Sequence, residues 1–283
     1  MGDLNWTDDQ WRKVKDAVTD TFGKASVASA FLPLYGPLAA GAETVRNERL
    51  DISNPPTVRL NGDHGEANQK LVTLTVKVEL SSEQVADETL SNAILAFRRA
   101  ANVLAQQEDQ IVFQGLDQTA TPPANVYAGK YPERVTGLTA AAFPLPPFSV
   151  PGLNPVGAVV VTKVAEAISQ LESDMNAGPF ACVLGTELFV AVQEPTFTLI
   201  LPADRIVPLL NGPLLRSSRV APNQGLVVSL AASAIDIVVG TAPTVQFLQR
   251  KEDAKYLFRV YTRFALRIRQ TDPKAPVILL TKT

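Results

Sequence analysis

Residues 71–115 read LVTLTVKVELSSEQVADETLSNAILAFRRAANVLAQQEDQIVFQG. In the first ten residues apolar and polar side chains alternate, which predicts a β-strand with one buried face. Ser81 and Gln84 then match a capping box, which predicts the start of a helix. Apolar residues recur at helical spacing up to Gly115, a residue type that commonly ends helices. The stretch therefore predicts a strand and then one spine helix of about 50 Å, in an elongated and flattened subunit.

A shorter amphipathic helix is predicted near the N-terminus. Thr7 can cap its start, Asp8 and Asp9 suit its positive end, and Gly23 is a natural stop. Its apolar positions recur at helical spacing and are Trp11, Val14, Val18 and Phe22. This face can pack on the core of its own domain, or its exposed flank can receive a partner.

The most regular strand lies near the C-terminus, between residues 258 and 269. Apolar residues at its even positions alternate with a basic set formed by Arg259, Arg263, Arg267 and Arg269. Arginines this close repel one another, so the basic face needs a compensating anion. One interpretation is salt bridges with carboxylates of the same or a neighbouring subunit, with Glu108 and Asp109 among the candidates. The alternative is an acidic segment of a partner.

The remaining patterns mix helices and strands. Residues 46–70 are polar and predict a projecting hairpin or loop, and the proline-rich residues 119–155 predict irregular linking structure. Further elements are predicted as helices over 158–175 and 186–192 and as strands over 180–184, 226–230 and 235–239. Because no βαβ rhythm repeats, the predicted fold class is α+β.

The composition narrows the possible functions. A formal net charge of −2 argues against a dedicated nucleic-acid binder. The charged fraction of only 19% suggests that much of the surface becomes interface. The lone cysteine, Cys182, cannot form an intrachain disulfide, which indicates a reducing cytosol. The sequence shows no signal peptide and no apolar stretch near the ~20 residues that span a bilayer, so no membrane association is expected.

The chain offers little for catalysis. His64 is the one histidine, and it lies in a polar, glycine-bearing stretch that predicts a solvated loop. One histidine cannot build a His-rich metal site, and a catalytic triad would depend on it alone. Cys182 lies in an apolar run, which predicts a buried and inert thiol. We therefore expect no enzyme activity and no metal site.

Four stretches carry a resemblance to a known family. They are YGPLAAG at 35–41, QQEDQIVFQG at 106–115, NAGPFACVL at 176–184 and FRVYTRFALRI at 258–268. Each resembles a stretch typical of encapsulins, the linocin-like shell proteins with the HK97 capsid fold. They occur in the family's order and span almost the whole chain. The resemblance implies a homo-oligomeric, self-assembling icosahedral nanocompartment in the cytoplasm.

The resemblance also implies a division of the chain. A peripheral domain (P-domain) would comprise residues 1–46, 81–135 and 244–283 around the spine helix. Residues 47–80 would form the extended E-loop that pairs with a neighbouring subunit, and residues 136–243 would form the axial domain (A-domain). The alternative within this fold is the major capsid protein of a tailed phage. The amphipathic N-terminal helix favours the encapsulin.

Encapsulins enclose cargo enzymes, often peroxidases or ferritin-like proteins, through a docking peptide that lies in a lumenal groove. The resemblance implies that the groove wall involves Trp11, Val14, Val18, Phe31 and Leu34. Many encapsulins place an arginine and an aspartate before the Gly-Pro turn, and Ser29 and Pro33 occupy those positions here. The basic strand would then substitute for these charges by holding an acidic cargo segment in the lumen.

Two further expectations follow from the resemblance. Some members bind flavin on a tryptophan near the base of the E-loop, but Trp6 and Trp11 both lie at the N-terminus, so no cofactor is expected. By alignment, residues 196–202 would supply a loop at the fivefold axis, although an ordinary surface strand is equally compatible. The pore residues would be Thr196, Phe197, Thr198, Leu199 and Ile200, which are uncharged and predict weak selection by ion sign.

Overall fold

A computed structural model of the protein describes residues 4–54, 57–61, 68–117, 134–150, 155–195, 200–231, 234–251, 253–270 and 275–283. The helices are α1 Asp8–Ala25, α2 Ala28–Phe31, α3 Ser82–Ala86, α4 Ser91–Gln114, α5 Leu138–Ala141, α6 Val156–Ser173, α7 Thr186–Gln193 and α8 Pro202–Leu210. The strands up to the chain's middle are β1 Leu34–Tyr35, β2 Thr44–Arg46, β3 Arg49–Asn54, β4 Thr57–Asn61, β5 Asn68–Lys70, β6 Val72–Leu80, β7 Leu116–Asp117, β8 Arg134–Val135 and β9 Phe143–Pro144. The later strands are β10 Phe180–Leu184, β11 Leu214–Arg216, β12 Gln224–Ser229, β13 Ile235–Arg250, β14 Tyr256–Ile268 and β15 Val277–Thr281.

A four-stranded sheet in the order β1-β13-β14-β6 carries the first core. β14 pairs antiparallel with both β13 and β6. β1 pairs in parallel with β13, opposite Ile237 and Val238. The helices α1 and α4 pack on this sheet and against each other. Their buried apolar side chains meet those of β6 and β14 in one continuous cluster, which includes Phe97, Leu104, Val78 and Phe258. The α+β fold class is confirmed.

A second, five-stranded sheet has the order β11-β10-β12-β15-β9. The helices α6, α7 and α8 pack on it over a separate core. All five residues of β10 are buried, as a central strand requires. Cys182 lies there fully buried, and burial raises the pKa of its thiol to about 12. This thiol is therefore un-ionised at neutral pH and a poor nucleophile.

The sheets do not follow the domain boundaries predicted from the sequence. β13 runs across the predicted boundary at residue 243 and pairs with β14 on both sides of it. The C-terminal strand β15, predicted within the 244–283 segment of the P-domain, lies in the five-stranded sheet between β12 and β9. The place of β15 arises from strand pairing between distant residues, which a local pattern does not reveal. The strands β13 and β14, in contrast, follow one another in the chain, with Arg250 opposite Tyr256.

The predicted E-loop, residues 47–80, is also divided. Its last strand, β6, is part of the four-stranded sheet, and Leu74 and Leu80 are only 1% exposed there. The strands before β6 lie within residues 44–54, 57–61 and 68–70, which we name the arm. Within it β2 pairs with β5, and β3 pairs with β4 as a hairpin. The alternation that predicted β6 is therefore that of a core strand and not of a strand without a core.

The predicted spine helix of about 50 Å is wrong in length. The capping box of Ser81 and Gln84 is present, but it starts the short helix α3. The carboxylate of Asp87 then accepts hydrogen bonds from the backbone N–H groups of Thr89 and Ser91. These local bonds compete with the helical ones and break the helix. The spine is therefore α4 alone, with 24 residues and a length of about 36 Å.

The predictions for other helix ends have mixed outcomes. Gly115 ends α4 as predicted, with φ of +85°, and a Cβ there would lie 2.4 Å from the carbonyl oxygen of Val135. The predicted cap at Thr7 is confirmed, and together with Gln10 it forms a capping box. Gly23, however, does not stop α1, which continues to Ala25. The helix α8, which begins with Pro202 at its first turn, was not predicted.

Candidate docking groove and family

The N-terminal helix buries most of its apolar face in its own subunit. Val14 and Val18 are fully buried, and Phe22 is 5% exposed. They belong to the core cluster that α1 shares with α4 and the four-stranded sheet. Val14, Val18 and Phe22 therefore pack on the core of their own domain and do not form a flank that receives a partner. Trp11 differs, because it is only partly buried and packs at the margin of that core.

An aromatic cluster fixes the start of α1 on the sheet. The ring of Phe258 stacks on Trp6 at 5.1 Å between centroids and meets Phe97 and Phe247 at 5.3 Å each. Trp11 packs edge-on against Trp6, also at 5.1 Å. The indole N–H of Trp6 donates to the carbonyl of Val85 at 3.0 Å. Aromatic pairs in this geometry add stability beyond their buried area, so Trp11 is held in a defined position.

Beside this cluster, a groove of about 560 Å³ separates α1 from β13. Trp11, Val245 and Phe247 supply its apolar surface. Its rim carries both signs of charge, from Asp8, Arg12, Lys15 and Asp16 on α1, with Gln246 on the strand side. We name this space the Trp11 groove. Aromatic surface beside charged side chains also occurs at protein–protein interfaces.

The strand side of the Trp11 groove is a sheet edge. Over Thr241–Arg250, β13 pairs with β14 and with no other strand of the described ranges. Pro243 lies in this edge, where its missing N–H removes no ladder bond. Its carbonyl accepts a hydrogen bond from the Thr19 hydroxyl of α1 at 3.3 Å. Unpaired backbone groups at such an edge can pair with an extended peptide.

The structure does not bring the five predicted groove residues together. Phe31 is buried and stacks on Phe113 at 6.3 Å. Leu34 is 57% exposed, but it lies in β1 opposite Ile237. From Ile237 to Val245 the strand spans roughly 25 Å at about 3.3 Å per residue. Of the predicted set, only Trp11 therefore lines the groove.

The sequence analysis did not predict the groove residues that β13 supplies. Val245 and Phe247 alternate with Gln246, and this period of two was a usable strand signal.

The two positions aligned with the family's docking charges, Ser29 and Pro33, have other contacts here. The Ser29 hydroxyl donates to Glu108 at 2.7 Å, and the Pro33 carbonyl accepts from the N–H of Ile237.

The basic strand face finds its anion in Asp236. Arg267 donates from Nε to Oδ1 at 2.8 Å and from Nη2 to Oδ2 at 2.5 Å. The side chains of Arg267 and Asp236 are only 7% and 6% exposed. Arg269, just beyond the end of β14, approaches the same carboxylate at 3.5 Å. The named candidates, Glu108 and Asp109, were wrong, because both point into the junction of α1, α2 and α4.

The same face holds the base of the arm. Arg263 donates to the carbonyl of Ala42 at 2.7 Å, and Arg267 donates to that of Arg46 at 3.1 Å. In return, the Gln69 side-chain amide donates to the carbonyl of Leu266 at 2.8 Å. Arg259 instead bonds Gln246 and lies 4.5 Å above the ring of Tyr261. These contacts support a structural role for the basic face, and its binding of an acidic cargo segment stays a prediction.

Some predicted sites fall outside the described residues. They include His64 and four of the five pore residues, Thr196, Phe197, Thr198 and Leu199. Ile200 is described and is 57% exposed, shortly before α8. Within the described ranges, no three potential metal ligands lie close enough to hold an ion.

No helix in the described part of the chain is long and apolar enough to cross a membrane.

The family model described as "Encapsulating protein for peroxidase" (Linocin_M18) matches residues 3–122 and 124–265. The chain is 24% identical over 277 residues to the type 1 encapsulin shell protein EncA of Myxococcus xanthus, covering 94% of this chain and 91% of that protein. It is 26% identical over 284 residues to a diheme-cytochrome–encapsulin shell fusion protein of Kuenenia stuttgartiensis, covering 94% and 72%.

Solved structures share the fold. A virus-like particle protein from Pyrococcus furiosus superposes with a TM-score of 0.69 at 16% identity, covering 95% of this chain and 98% of that one. The capsid protein of Myoviridae phage XM1 gives 0.57 at 13% identity, covering 89% and 90%. Phage capsids thus share the HK97-type fold, but the matches by sequence are to encapsulins, which disfavours a phage capsid protein. The chain belongs to the encapsulin (Linocin_M18) family of shell proteins.

Proposed function

We propose that the protein is the structural subunit of a closed icosahedral compartment, which assembles from copies of this chain in the cytoplasm and encloses a cargo protein. The observation that carries the proposal is the arm. Its hairpin of β3 and β4 pairs with no other strand of the described residues, while its base is tied to β14 by Arg263 and Arg267. A strand pair without a sheet to join is marginal alone, so a neighbouring subunit supplies its partner.

The subunit itself has no catalytic role in this proposal. Cys182 is sealed in the second core, and a single histidine in the chain cannot supply both a metal site and a base. Chemistry inside the compartment belongs to the cargo, for which a peroxidase or a ferritin-like protein is the expected class. The family's description as an encapsulating protein for peroxidase supports a peroxidase.

We further propose that the cargo's docking peptide lies in the Trp11 groove as an extended strand along the open edge of β13. Backbone hydrogen bonds to the edge supply affinity, and alternate side chains supply specificity. Val245 and Phe247 point to the same side of the strand because they are two residues apart. The peptide is therefore expected to carry apolar residues two positions apart and charged residues at its flanks, opposite the mixed rim of α1.

The groove is tested by cargo loading. Trp11→Ala removes the aromatic wall and is expected to lower the cargo content of purified shells at least tenfold, whereas Trp11→Phe retains most of it. Lys13→Ala, on an exposed part of α1 outside the groove, is the matched control and should load normally. The probe is a fluorescent protein fused to the docking segment of a cargo protein that copurifies with shells of the unchanged protein. Loading is measured as fluorescence per shell mass.

Electron microscopy of the same samples separates docking from assembly. Intact Trp11→Ala shells that lack the probe support the groove. Intact Trp11→Ala shells that load as the unchanged protein does would place docking elsewhere.

A further inference from the structure

The corner between α1 and α2 is held on the spine helix by a buried carboxylate pair. Asp109 of α4 accepts hydrogen bonds from the backbone N–H groups of Val27 at 3.0 Å and Ala28 at 2.9 Å, and from the Ser26 hydroxyl at 3.1 Å. Its neighbour Glu108 accepts from the Ser29 hydroxyl at 2.7 Å. Glu108 and Asp109 are only 3% and 4% exposed. Two carboxylates adjacent in sequence thus share one enclosed site.

The donors suffice for one charge but not for two. Ser26 has a single hydroxyl proton, and its oxygen lies 3.1 Å from Asp109 and 3.4 Å from Glu108. Asp109 also takes both backbone N–H groups, which leaves Glu108 with one strong donor, Ser29. A buried carboxylate that lacks a cation and a full set of donors favours its protonated form.

The charged surroundings of the pair are sparse. On α4 itself the charge of Asp109 raises the pKa of Glu108, and Arg219, in the loop before β12, lowers the pKa of Asp109. From α1 and α2 the pair receives only hydroxyl and backbone N–H groups, and Lys24, the basic residue in the last turn of α1, pairs with Asp20 instead. No basic side chain of the described residues forms a salt bridge with Glu108 or Asp109.

We propose that this corner is a pH-sensitive latch, in which a proton on the Glu108–Asp109 pair holds residues 26–31 on the spine helix and loss of that proton loosens them. The electrostatics agree with the geometry. Burial raises the pKa of Glu108 to about 7, the Ser29 bond opposes this rise, and the charge of Asp109 adds to it. Burial raises the pKa of Asp109 as well.

The direction of the effect follows from proton linkage. Between pH 4.5, the ordinary carboxyl value, and pH 7, the closed latch holds a proton that the open form releases. The closed form is therefore most favoured at low pH and becomes less favoured as pH rises, until the effect levels off above pH 7. Between pH 6 and pH 8 the linkage amounts to about a tenfold loss in the ratio of closed to open latch. The inference rests on the corner alone and is independent of peptide binding in the Trp11 groove.

Hydrogen–deuterium exchange on assembled shells tests the latch. Protection factors, corrected for the intrinsic effect of pH on exchange, are measured for peptides covering residues 22–33 from pH 6 to pH 8.5. We expect about a tenfold fall in protection in the unchanged protein. Glu108→Gln mimics the protonated carboxyl and should remove the pH dependence. Glu88→Gln, at an exposed position between α3 and α4, is the matched control and should retain it.

Two results would overturn the latch. One is protection of residues 26–31 that does not change with pH in the unchanged protein. The other is the same pH dependence in Glu108→Gln as in Glu88→Gln. Because the first measurement needs no substitution, the test does not depend on the folding of any variant.

Discussion

Asp236→Ala is expected to lower the free energy of unfolding by about 3–5 kcal/mol, because it leaves the Arg267 guanidinium buried without its counter-charge. The pair is nearly inaccessible to water and is joined by two hydrogen bonds. Loss of the pair should also weaken the attachment of the arm, because Arg267 donates a hydrogen bond to the carbonyl of Arg46. Urea denaturation of the shells, followed by tryptophan fluorescence, measures the change.

An exposed ion pair of the same protein provides the control. Lys24 and Asp20 lie 2.8 Å apart on α1, with side chains 75% and 58% exposed. Asp20→Ala should therefore change the stability by less than about 1 kcal/mol, because water screens the pair. Equal effects of Asp20→Ala and Asp236→Ala would show that the buried pair does not hold the arm to the sheet.

Phe258→Ala is expected to lower the free energy of unfolding by about 3–5 kcal/mol, as much as Asp236→Ala. Phe258 is fully buried, and its ring contacts Trp6, Phe97 and Phe247 at centroid distances of 5.1 to 5.3 Å. Its removal leaves a cavity where α1 and α4 meet the sheet, and surrounding rings collapse into it only in part. The same urea denaturation measures the effect.

Leu248→Ala is the matched control for this cavity. Leu248 lies on β13 one residue from Phe247 but is 40% exposed, so its truncation should cost less than about 0.5 kcal/mol. Phe258→Leu, which keeps apolar volume, should fall between the two. If Phe258→Ala were no more destabilising than Leu248→Ala, the aromatic cluster would not be what anchors α1.

Most of the fold could be predicted from patterns among residues that are neighbours in sequence. The alternation in β6 and β14, the cap at Thr7 and the capping box at Ser81 depend on neighbours in sequence, and each appears in the structure. The break before α4 depends on the Asp87 side chain, whose bonds compete with a helical pattern that otherwise continues. The place of β15 in the second sheet depends on pairing with β12, some fifty residues away, and no local pattern contains it.

The candidate site was harder to predict, for a different reason. Helical spacing identified the apolar face of α1, but not how much of that face the sheet covers. Val14 and Val18 are buried completely, whereas Trp11 is buried only in part and lines the groove. The ion-pair partner of Arg267 was equally hard to predict from the sequence, because Asp236 lies opposite it only through the register of β13 and β14.

Self-assembly of the subunit into a closed shell is tested by the mass of the particles that it forms. Light scattering coupled to size-exclusion chromatography at physiological salt, with electron microscopy of the same fraction, measures it. We expect uniform, closed, roughly spherical particles of megadalton mass or larger, built from subunits of 30.4 kDa. A stable monomer or dimer under these conditions would contradict self-assembly into a shell.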